Sequence, residues 1–263
     1  MMKTDTLEQI AYELFKAEHD VYEVTKFVEQ YPELTVETAY DIQDKLIDLK
    51  CKQEQTKTSG FKLGLTSKAK QQMMGVHEPT YGVLLANMEL DPQQPISLKT
   101  LIHPKIEPEI AFIFKKDLPG PVVTVAQVLA ATDYVTPAME IIDSRYLNFN
   151  FTLPDVIADN SSSSRYIVST QKYAVNEVDL VNMGCIFTQN DEVFATSTAG
   201  SIMGHPARAI AWMANKLIAR GQKIRAGDVV LSGALTGSAT MHAGDQFTVS
   251  FDGMESLSVR VAQ

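Results

Sequence analysis

The stretch KIEPEIAFIF, residues 105–114, places two glutamates two positions apart in an otherwise apolar segment. In an extended chain alternate side chains share a face, so Glu107 and Glu109 would lie roughly 6–7 Å apart on one side of a sheet. Ala111 and Ile113 follow on that face, so it does not continue as a solvated surface. Two carboxylates beside apolar side chains repel each other unless a cation joins them. One interpretation of the stretch is therefore a strand whose carboxylate pair faces a cation.

An alternative interpretation of the same stretch is a solvated edge strand. Pro108 has no backbone N–H to give to a neighbouring strand, and acidic residues on an edge discourage unwanted pairing. The ten residues alone do not decide between the two interpretations.

A third glutamate lies in a second apolar segment, DYVTPAMEIIDSRY, residues 133–146. Glu140 stands between Met139 and Ile141, where a carboxylate without a partner is costly to bury. If this segment is a strand beside the first, three carboxylates converge, and a set of oxygen ligands favours Mg²⁺ or Mn²⁺ over zinc. The alternative is an ion pair between Glu140 and Arg145 or a lysine.

The composition excludes several classes of partner. The 263 residues are 45% hydrophobic and 21% charged, which is typical of a globular protein. A net charge of −9 without a basic stripe argues against binding to nucleic acid or to an anionic membrane. No apolar run approaches about 18 residues and no signal sequence is visible, so we expect a cytoplasmic protein. Cys51 and Cys185 are too few and too far apart for a disulfide framework.

The first part of the chain is expected to be helical. We predict a single α+β domain over residues 1–263, in which residues 1–58 form a helical N-terminal part. Thr6 with Gln9 three residues later has the pattern of a capping box, and Thr35 can cap a second helix.

Residues 59–263 have the short apolar runs of a sheet-rich body. One long helix interrupts it, with Pro206 suited to its first turn and Gly221 to its end. The segment QFTVSF, residues 246–251, alternates apolar and polar residues, and the Asp252–Gly253 turn that follows predicts a C-terminal hairpin.

Five motifs, in this order, resemble the hydratase/decarboxylase branch of the fumarylacetoacetate hydrolase superfamily over nearly the whole chain. They are FKLGLTSKAKQQMMGVHEPTYGVLLANM, IHPKIEPEIAFIF, PAMEIIDSRYLNFNF, ADNSSSSRYIV and GHPARAIAWMANKL. The resemblance implies a mixed β-roll or barrel-like sheet with helices packed outside. It also implies that Glu107, Glu109 and Glu140 bind Mg²⁺ or Mn²⁺.

The resemblance implies a small 2-oxo dicarboxylate as substrate. Within the branch, the sequence most resembles enzymes that convert 2-oxo-3-hexenedioate to 2-hydroxypenta-2,4-dienoate and CO₂ in the breakdown of aromatic compounds. Thr80 favours this activity, because the hydratases of the branch tend to carry an aspartate there. One alternative is hydration of the dienoate, and another is a non-catalytic subunit of a decarboxylase/hydratase complex. A homo-oligomer and a complex with a hydratase are the expected assemblies.

The resemblance also implies which residues meet the substrate. Lys62 would balance the substrate's charge or move a proton, although on its residue pattern alone it could be an exposed strand lysine. The substrate would also contact Leu65, Ser161 and Thr236. Ser161 could instead be an ordinary loop serine, and Thr236 could be an ordinary turn threonine.

Arg145 and Arg165 are the local cations that a dianionic substrate would need in an acidic protein. Each could instead pair with Asp143 or Asp155, and the sequence leaves both possibilities open.

Overall fold

The structure is a computed structural model that describes residues 2–73 and 76–263. The helices are α1 (Thr4–Asp20), α2 (Phe27–Gln30), α3 (Val36–Gln53), α4 (Lys68–Met73), α5 (Val125–Ala131), α6 (Leu153–Ala158) and α7 (Pro206–Ala219). The strands are β1 (Thr58–Gly64), β2 (Thr80–Leu85), β3 (Lys105–Phe114), β4 (Thr132–Ile142), β5 (Ser163–Val168), β6 (Gly184–Gln189), β7 (Glu192–Thr198), β8 (Val229–Leu231), β9 (Ala239–Thr240), β10 (Gln246–Phe251) and β11 (Leu257–Arg260).

The larger sheet places the glutamate strand in its interior. Its order is β2-β1-β8-β3-β4-β5, and β9 also pairs with β3. On one side β3 pairs with β4, and on the other it pairs with β9 through residues 105–106 and with β8 through residues 111–113. The edge-strand interpretation is therefore wrong. Pro108 is tolerated because it lies between these two short pairings, where its carbonyl accepts a hydrogen bond from Leu235 N at 3.1 Å.

The smaller sheet has the order β11-β10-β6-β7 and contains the predicted C-terminal hairpin. Phe247, Val249 and Phe251 are buried, as the alternating pattern predicts. Gly253 in the turn has φ +76°, a left-handed conformation that suits glycine. Buried apolar side chains from the N-terminal helices to this hairpin form one continuous cluster.

Three of the four predicted helix boundaries agree with the structure. The Thr35 side chain caps α3 by accepting from Thr38 N at 3.2 Å, and α7 begins at Pro206, with Gly221 in a left-handed conformation just after its end. The capping box at Thr6 is wrong, because α1 already begins at Thr4 and Lys3 precedes it without a side-chain cap. The first turn of α1 is largely exposed and contains Asp5, a carboxylate that favours a helix N-terminus, and the buried face of the helix begins only at Leu7.

The N-terminal helices are joined to the larger sheet by buried polar contacts. Gln43 on α3 donates from Nε2 to the carbonyls of Tyr81 at 3.0 Å and Ile157 at 3.1 Å. Lys50 on α3 lies 2.7 Å from the carboxylate of Glu18 on α1. Burial opposes ionisation of Glu18, but Lys50 and nearby arginines lower its pKa to about 2. The Gln43 contacts fix α3 to β2 and α6, and the Lys50–Glu18 pair fixes α1 to α3.

In the part of the chain that the structure describes, no helix has the length and apolar character needed to cross a bilayer.

Candidate metal centre and substrate pocket

The antiparallel pairing of β3 and β4 brings the three predicted glutamates together. Glu107 lies directly opposite Glu140, and Glu109 lies two residues further along the same face of β3. One carboxylate oxygen from each residue lies within 4.8 Å of the other two. Glu109 and Glu140 are fully buried, and Glu107 is 8% exposed. The strand register thus produces the convergence that the sequence could only suggest.

The carboxylates destabilise one another when they are ionised without a bound cation. Burial, followed by the charges of Glu140 and Glu107, raises the pKa of Glu109 well above its ordinary value, although a hydrogen bond from Gly233 N opposes the change. Burial also raises the pKa of Glu140, and Lys62 opposes that shift. The cluster is therefore a place where a cation would be strongly attracted.

Lys62 projects from β1 into this cluster. Its side chain is 4% exposed, and its Nζ lies 3.1 Å from Oε1 of Glu140. The alternative of an exposed strand lysine is wrong, whereas the alternative of a lysine partner for Glu140 is confirmed. One ion pair with Lys62 does not offset the charges of three ionised carboxylates.

The donor set fits a hard divalent cation. Within residues 2–73 and 76–263, Oε1 of Glu109 and Oε2 of Glu140 are buried and accept no hydrogen bond, and Oε1 of Glu140 has the Lys62 ammonium group beside it. Such orphaned oxygens are costly in a protein interior unless an ion or water satisfies them. Mg²⁺ and Mn²⁺ prefer carboxylate oxygens and keep open positions for water or substrate. The three glutamates would hold such an ion.

A cavity of about 170 Å³ opens beside the cluster. Its polar side chains are Lys62, Thr80, Glu107, Ser161, Ser162 and Ser238. Its apolar side chains are Leu65, Ile142, Phe149, Phe151 and Val156. The cavity therefore has a charged end at Lys62 and Glu107 and a largely apolar wall, which suits a small acid with an apolar carbon chain.

The structure brings some of the predicted substrate residues to this cavity. Leu65 and Ser161 both line it, and both have left-handed backbone conformations, with φ +55° and +53°. Thr236 does not line it. Its hydroxyl donates to the carbonyl of Gly237 at 2.9 Å, as the alternative of a turn threonine predicts. Ser238, two residues further on, lines the cavity instead.

Arg145 does not reach the cavity, which corrects the expectation that it contacts the substrate. It is 1% exposed, its Nε pairs with the carboxylate of Asp159, and its Nη1 and Nη2 donate to the carbonyls of Asp143 and Asp159, each at 2.6 Å. The acidic partner is thus Asp159 and not Asp143 or Asp155. Through these contacts Arg145 links the segment after β4 to the residue that follows α6, and its role is structural.

Arg165 is also absent from the cavity wall, and the expectation of substrate contact is corrected for it as well. It lies opposite Ile141 on β4, so its side chain leaves the sheet on the face opposite Glu140. Its Nη1 donates to the carbonyl of Ser164 at 2.8 Å and lies 3.9 Å from Glu18.

The aromatic wall was not predicted from the sequence. Phe149 and Phe151 belong to LNFNF, residues 147–151, which follows β4 and has no strand or helix period. Two phenylalanines in a polar loop are a signal of burial that could have been used. Ser162 was likewise hidden in the serine run 161–164, which has the composition of a loop.

The raised pKa of Glu109 predicts a pH-dependent stability of the metal-free protein. Above the ordinary value of 4.5 the unfolded chain loses this proton while the folded chain retains it. The free energy of unfolding should therefore fall as pH rises from about 5 towards neutrality, and the stabilisation by Mg²⁺ should grow over the same range because the ion replaces the proton. Thermal unfolding in chelator and in Mg²⁺ measures both. Parallel pH profiles in the two buffers would contradict the prediction.

The chain is similar to known proteins over nearly its whole length. The model of the family described as fumarylacetoacetate (FAA) hydrolase, C-terminal, matches residues 51–262. The chain is 40% identical over 263 residues to 4-oxalocrotonate decarboxylase of Pseudomonas sp. (strain CF600), and the match covers 99% of both chains. It is 36% identical over 259 residues to 2-hydroxyhexa-2,4-dienoate hydratase of Comamonas testosteroni, covering 98% of each.

A solved structure has nearly the same fold. It is 4-oxalocrotonate decarboxylase from Pseudomonas putida G7, complexed with magnesium and adipate. It superposes with a TM-score of 0.95 at 37% identity, over 99% of both chains. This similarity confirms the expected α+β fold with a curled mixed sheet and packed helices.

Proposed function

Because the chain belongs to the fumarylacetoacetate hydrolase family, we propose that it is a metal-dependent lyase that converts 2-oxo-3-hexenedioate (4-oxalocrotonate) to 2-hydroxypenta-2,4-dienoate and CO₂. One observation carries this choice within the family. Among the described residues that line the cavity, Glu107 is the only acid, and Thr80 stands on the wall where a hydratase would be expected to carry an aspartate. The full-length similarity to decarboxylases supports the same choice.

Glu107, Glu109 and Glu140 would hold Mg²⁺ or Mn²⁺, which when bound would act as a Lewis acid on the 2-oxo group. The chain's own contribution at that end is Lys62. Its ammonium group, next to Glu140, would balance the negative charge that reaches the 2-oxo oxygen and supply the proton that forms the enol.

The apolar wall would act on the other end of the substrate. When the C5–C6 bond breaks, its electron pair moves through the conjugated double bond to the 2-oxo oxygen, and C6 leaves as neutral CO₂. Phe149, Phe151 and Val156 would exclude water from the C6 carboxylate, and a poorly solvated site favours neutral CO₂ over the anion. The positions of Arg145 and Arg165 agree with this arrangement, because an arginine on C6 would stabilise the carboxylate before it is lost.

We expect the purified protein to release CO₂ from 2-oxo-3-hexenedioate in the presence of Mg²⁺ and to lose this activity in chelator. The dienoate supplied alone should give little 4-hydroxy-2-oxopentanoate. Following CO₂ and that hydration product separately distinguishes the two activities. Hydration of the dienoate without CO₂ release from the dicarboxylate would overturn the proposal and leave the hydratase; one relative, 36% identical, is a 2-hydroxyhexa-2,4-dienoate hydratase.

Variants at Thr80 test the wall residue on which the choice depends. Thr80→Asp should slow CO₂ release, because a second carboxylate in the cavity repels the C6 carboxylate. Thr80→Asn has a similar size without the charge and is the matched control. Equal loss in both variants would show that size and not charge matters at this position.

The family resemblance also supports assembly into a homo-oligomer, association with a hydratase that would receive the dienoate, and a cytoplasmic location. Ile186, Val193 and Phe194 on the smaller sheet are exposed, at 48%, 65% and 44%, and either assembly could cover them. Light scattering on the protein alone, and after mixing with a hydratase, tests both assemblies. Masses that match separate single chains in both samples would contradict them.

A further inference from the structure

Three successive residues with side chains adopt a left-handed backbone directly after α6. Asn160, Ser161 and Ser162 have φ values of +50°, +53° and +56°. This conformation is unfavourable for residues with a Cβ and is usually found singly, so a run of three must be held by its surroundings. Ser161 and Ser162 line the cavity, so this left-handed turn forms part of the substrate site.

The carboxamide of Asn160 ties the turn to β2. Its Oδ1 accepts from Val83 N at 2.7 Å, and its Nδ2 donates to Val83 O at 2.9 Å. The side chain therefore satisfies both backbone groups of Val83, as a neighbouring strand would. Gly82 makes the contact possible, because a Cβ at that position would lie only 2.5 Å from the Asn160 carbonyl oxygen.

Backbone contacts fix the other end of the turn. Ser162 N donates to Asp159 O at 2.9 Å, and Asp143 N donates to Ser162 O at 2.8 Å. Arg145 also donates to Asp159 O, at 2.6 Å. The turn is thus held between β2 and the end of β4, with little freedom to change the direction of its side chains.

The two serine hydroxyls of the turn are not equivalent. Ser161 Oγ donates its hydrogen to the carbonyl of Tyr81 at 2.9 Å, so that hydrogen is engaged within the protein and is not available to a ligand. Ser162 Oγ is buried and has no hydrogen-bond partner among the described residues. A buried hydroxyl without a partner at a cavity wall is free to donate to a ligand.

We propose that Asn160 is a positioning residue whose carboxamide holds the left-handed turn so that Ser162, rather than Ser161, donates a hydrogen bond to the substrate. The inference rests on the proposed function in that the ligand is a 2-oxo acid bound with a divalent cation. Asn160 itself acts through the turn and does not touch the reacting atoms.

The test compares Ser162→Ala, Ser161→Ala and Asn160→Gly, with the double variant of Asn160→Gly and Ser162→Ala. Glycine at position 160 tolerates the positive φ and removes the whole side chain, including the carboxamide. Each protein is assayed for CO₂ release, and for binding of 2-oxoadipate and 2-oxopentanoate, unreactive saturated probes, by calorimetry in Mg²⁺. Mg²⁺ affinity and melting temperature are measured on the same samples.

We expect Ser162→Ala and Asn160→Gly each to weaken probe binding and kcat/KM by about 10- to 100-fold, as for loss of a hydrogen bond to a charged ligand. The double variant should be no more than about threefold worse than the weaker-binding single variant, because the second change removes a hydroxyl that is already misplaced. Ser161→Ala should lower the melting temperature and should reduce kcat/KM less than Ser162→Ala does. Mg²⁺ affinity should be unchanged throughout.

Several outcomes would overturn the inference. A larger kinetic loss in Ser161→Ala than in Ser162→Ala would assign the donor to Ser161. Effects of Asn160→Gly and Ser162→Ala that multiply in the double variant would show that Asn160 does not act through Ser162. If Asn160→Gly fails to fold, Asn160→Asp takes its place in the cycle, since it keeps the acceptor to Val83 N. A wild-type protein that binds neither probe would also overturn it.

The proposed function can fail independently. If the wild-type protein releases no CO₂ but its probe binding follows the pattern above, the decarboxylase assignment is wrong and the positioning role of Asn160 stands.

Discussion

The variant Glu109→Gln is expected to lose at least about 1000-fold in Mg²⁺-dependent turnover at limiting metal, equivalent to about 4 kcal/mol of transition-state stabilisation. Glutamine keeps the shape of the side chain and can still accept the hydrogen bond that Gly233 N gives to Glu109 at 2.7 Å. It also removes a carboxyl group whose ionisation is opposed by burial and by the charges of Glu140 and Glu107. The metal-free variant should therefore be at least as stable as the parent protein.

These opposite effects make the prediction specific. Melting temperatures are measured in chelator and in excess Mg²⁺: the parent should be stabilised by the ion and the variant should not, since only ion binding to the folded state shifts unfolding. Glu192→Gln, which changes an exposed carboxylate on β7, is the matched control and should behave like the parent. Retained turnover in Glu109→Gln at limiting metal would remove Glu109 from the site.

The variant Lys62→Met is expected to lower kcat by about 100- to 10,000-fold, the range for a positioned acid–base group. Methionine retains much of the buried stem and removes the ammonium group that lies 3.1 Å from Glu140. Mg²⁺ should bind as tightly as in the parent or more tightly, because a neighbouring positive charge has been removed. Turnover and metal affinity should thus change independently.

The control for this variant is Lys57→Met, which alters an exposed lysine just before β1. Steady-state kinetics and calorimetric titration with Mg²⁺ provide the two readouts, and thermal unfolding detects any loss of folded protein. If the loss of activity matches the loss of folded protein, Lys62 stabilises the fold and has no direct role in turnover. Loss of Mg²⁺ binding would instead show that Lys62 is needed to keep the three glutamates arranged for the metal.

The carboxylate face of β3 was predictable because the backbone of a strand fixes a period of two residues. Glu107 and Glu109 had to share a face, and the apolar residues after them indicated burial. The position of Glu140 was not predictable in the same way. A shift of one residue in the pairing of β3 with β4 would have moved its side chain to the other face, and only the resemblance to a known family indicated the observed register.

The arginines show where sequence reasoning stops. Arg145 has an aspartate two residues before it and another fourteen residues after it, and a long flexible side chain can reach either. Its choice of Asp159 depends on the path of the chain through α6, which no local pattern specifies. The aromatic wall is similar, because Phe149 and Phe151 face the cavity only through the course of an irregular loop.

The contact between Gln43 and the Tyr81 carbonyl limits how far this protein can be shortened. Helix α3 lies almost entirely outside the segment 51–262 that the family model matches, yet Gln43 donates to the same carbonyl that accepts the hydroxyl of Ser161. A fragment trimmed to that segment would lose the helix side of this junction and also the Glu18–Lys50 pair. The smallest working catalyst derived from this chain therefore has to include its N-terminal helices.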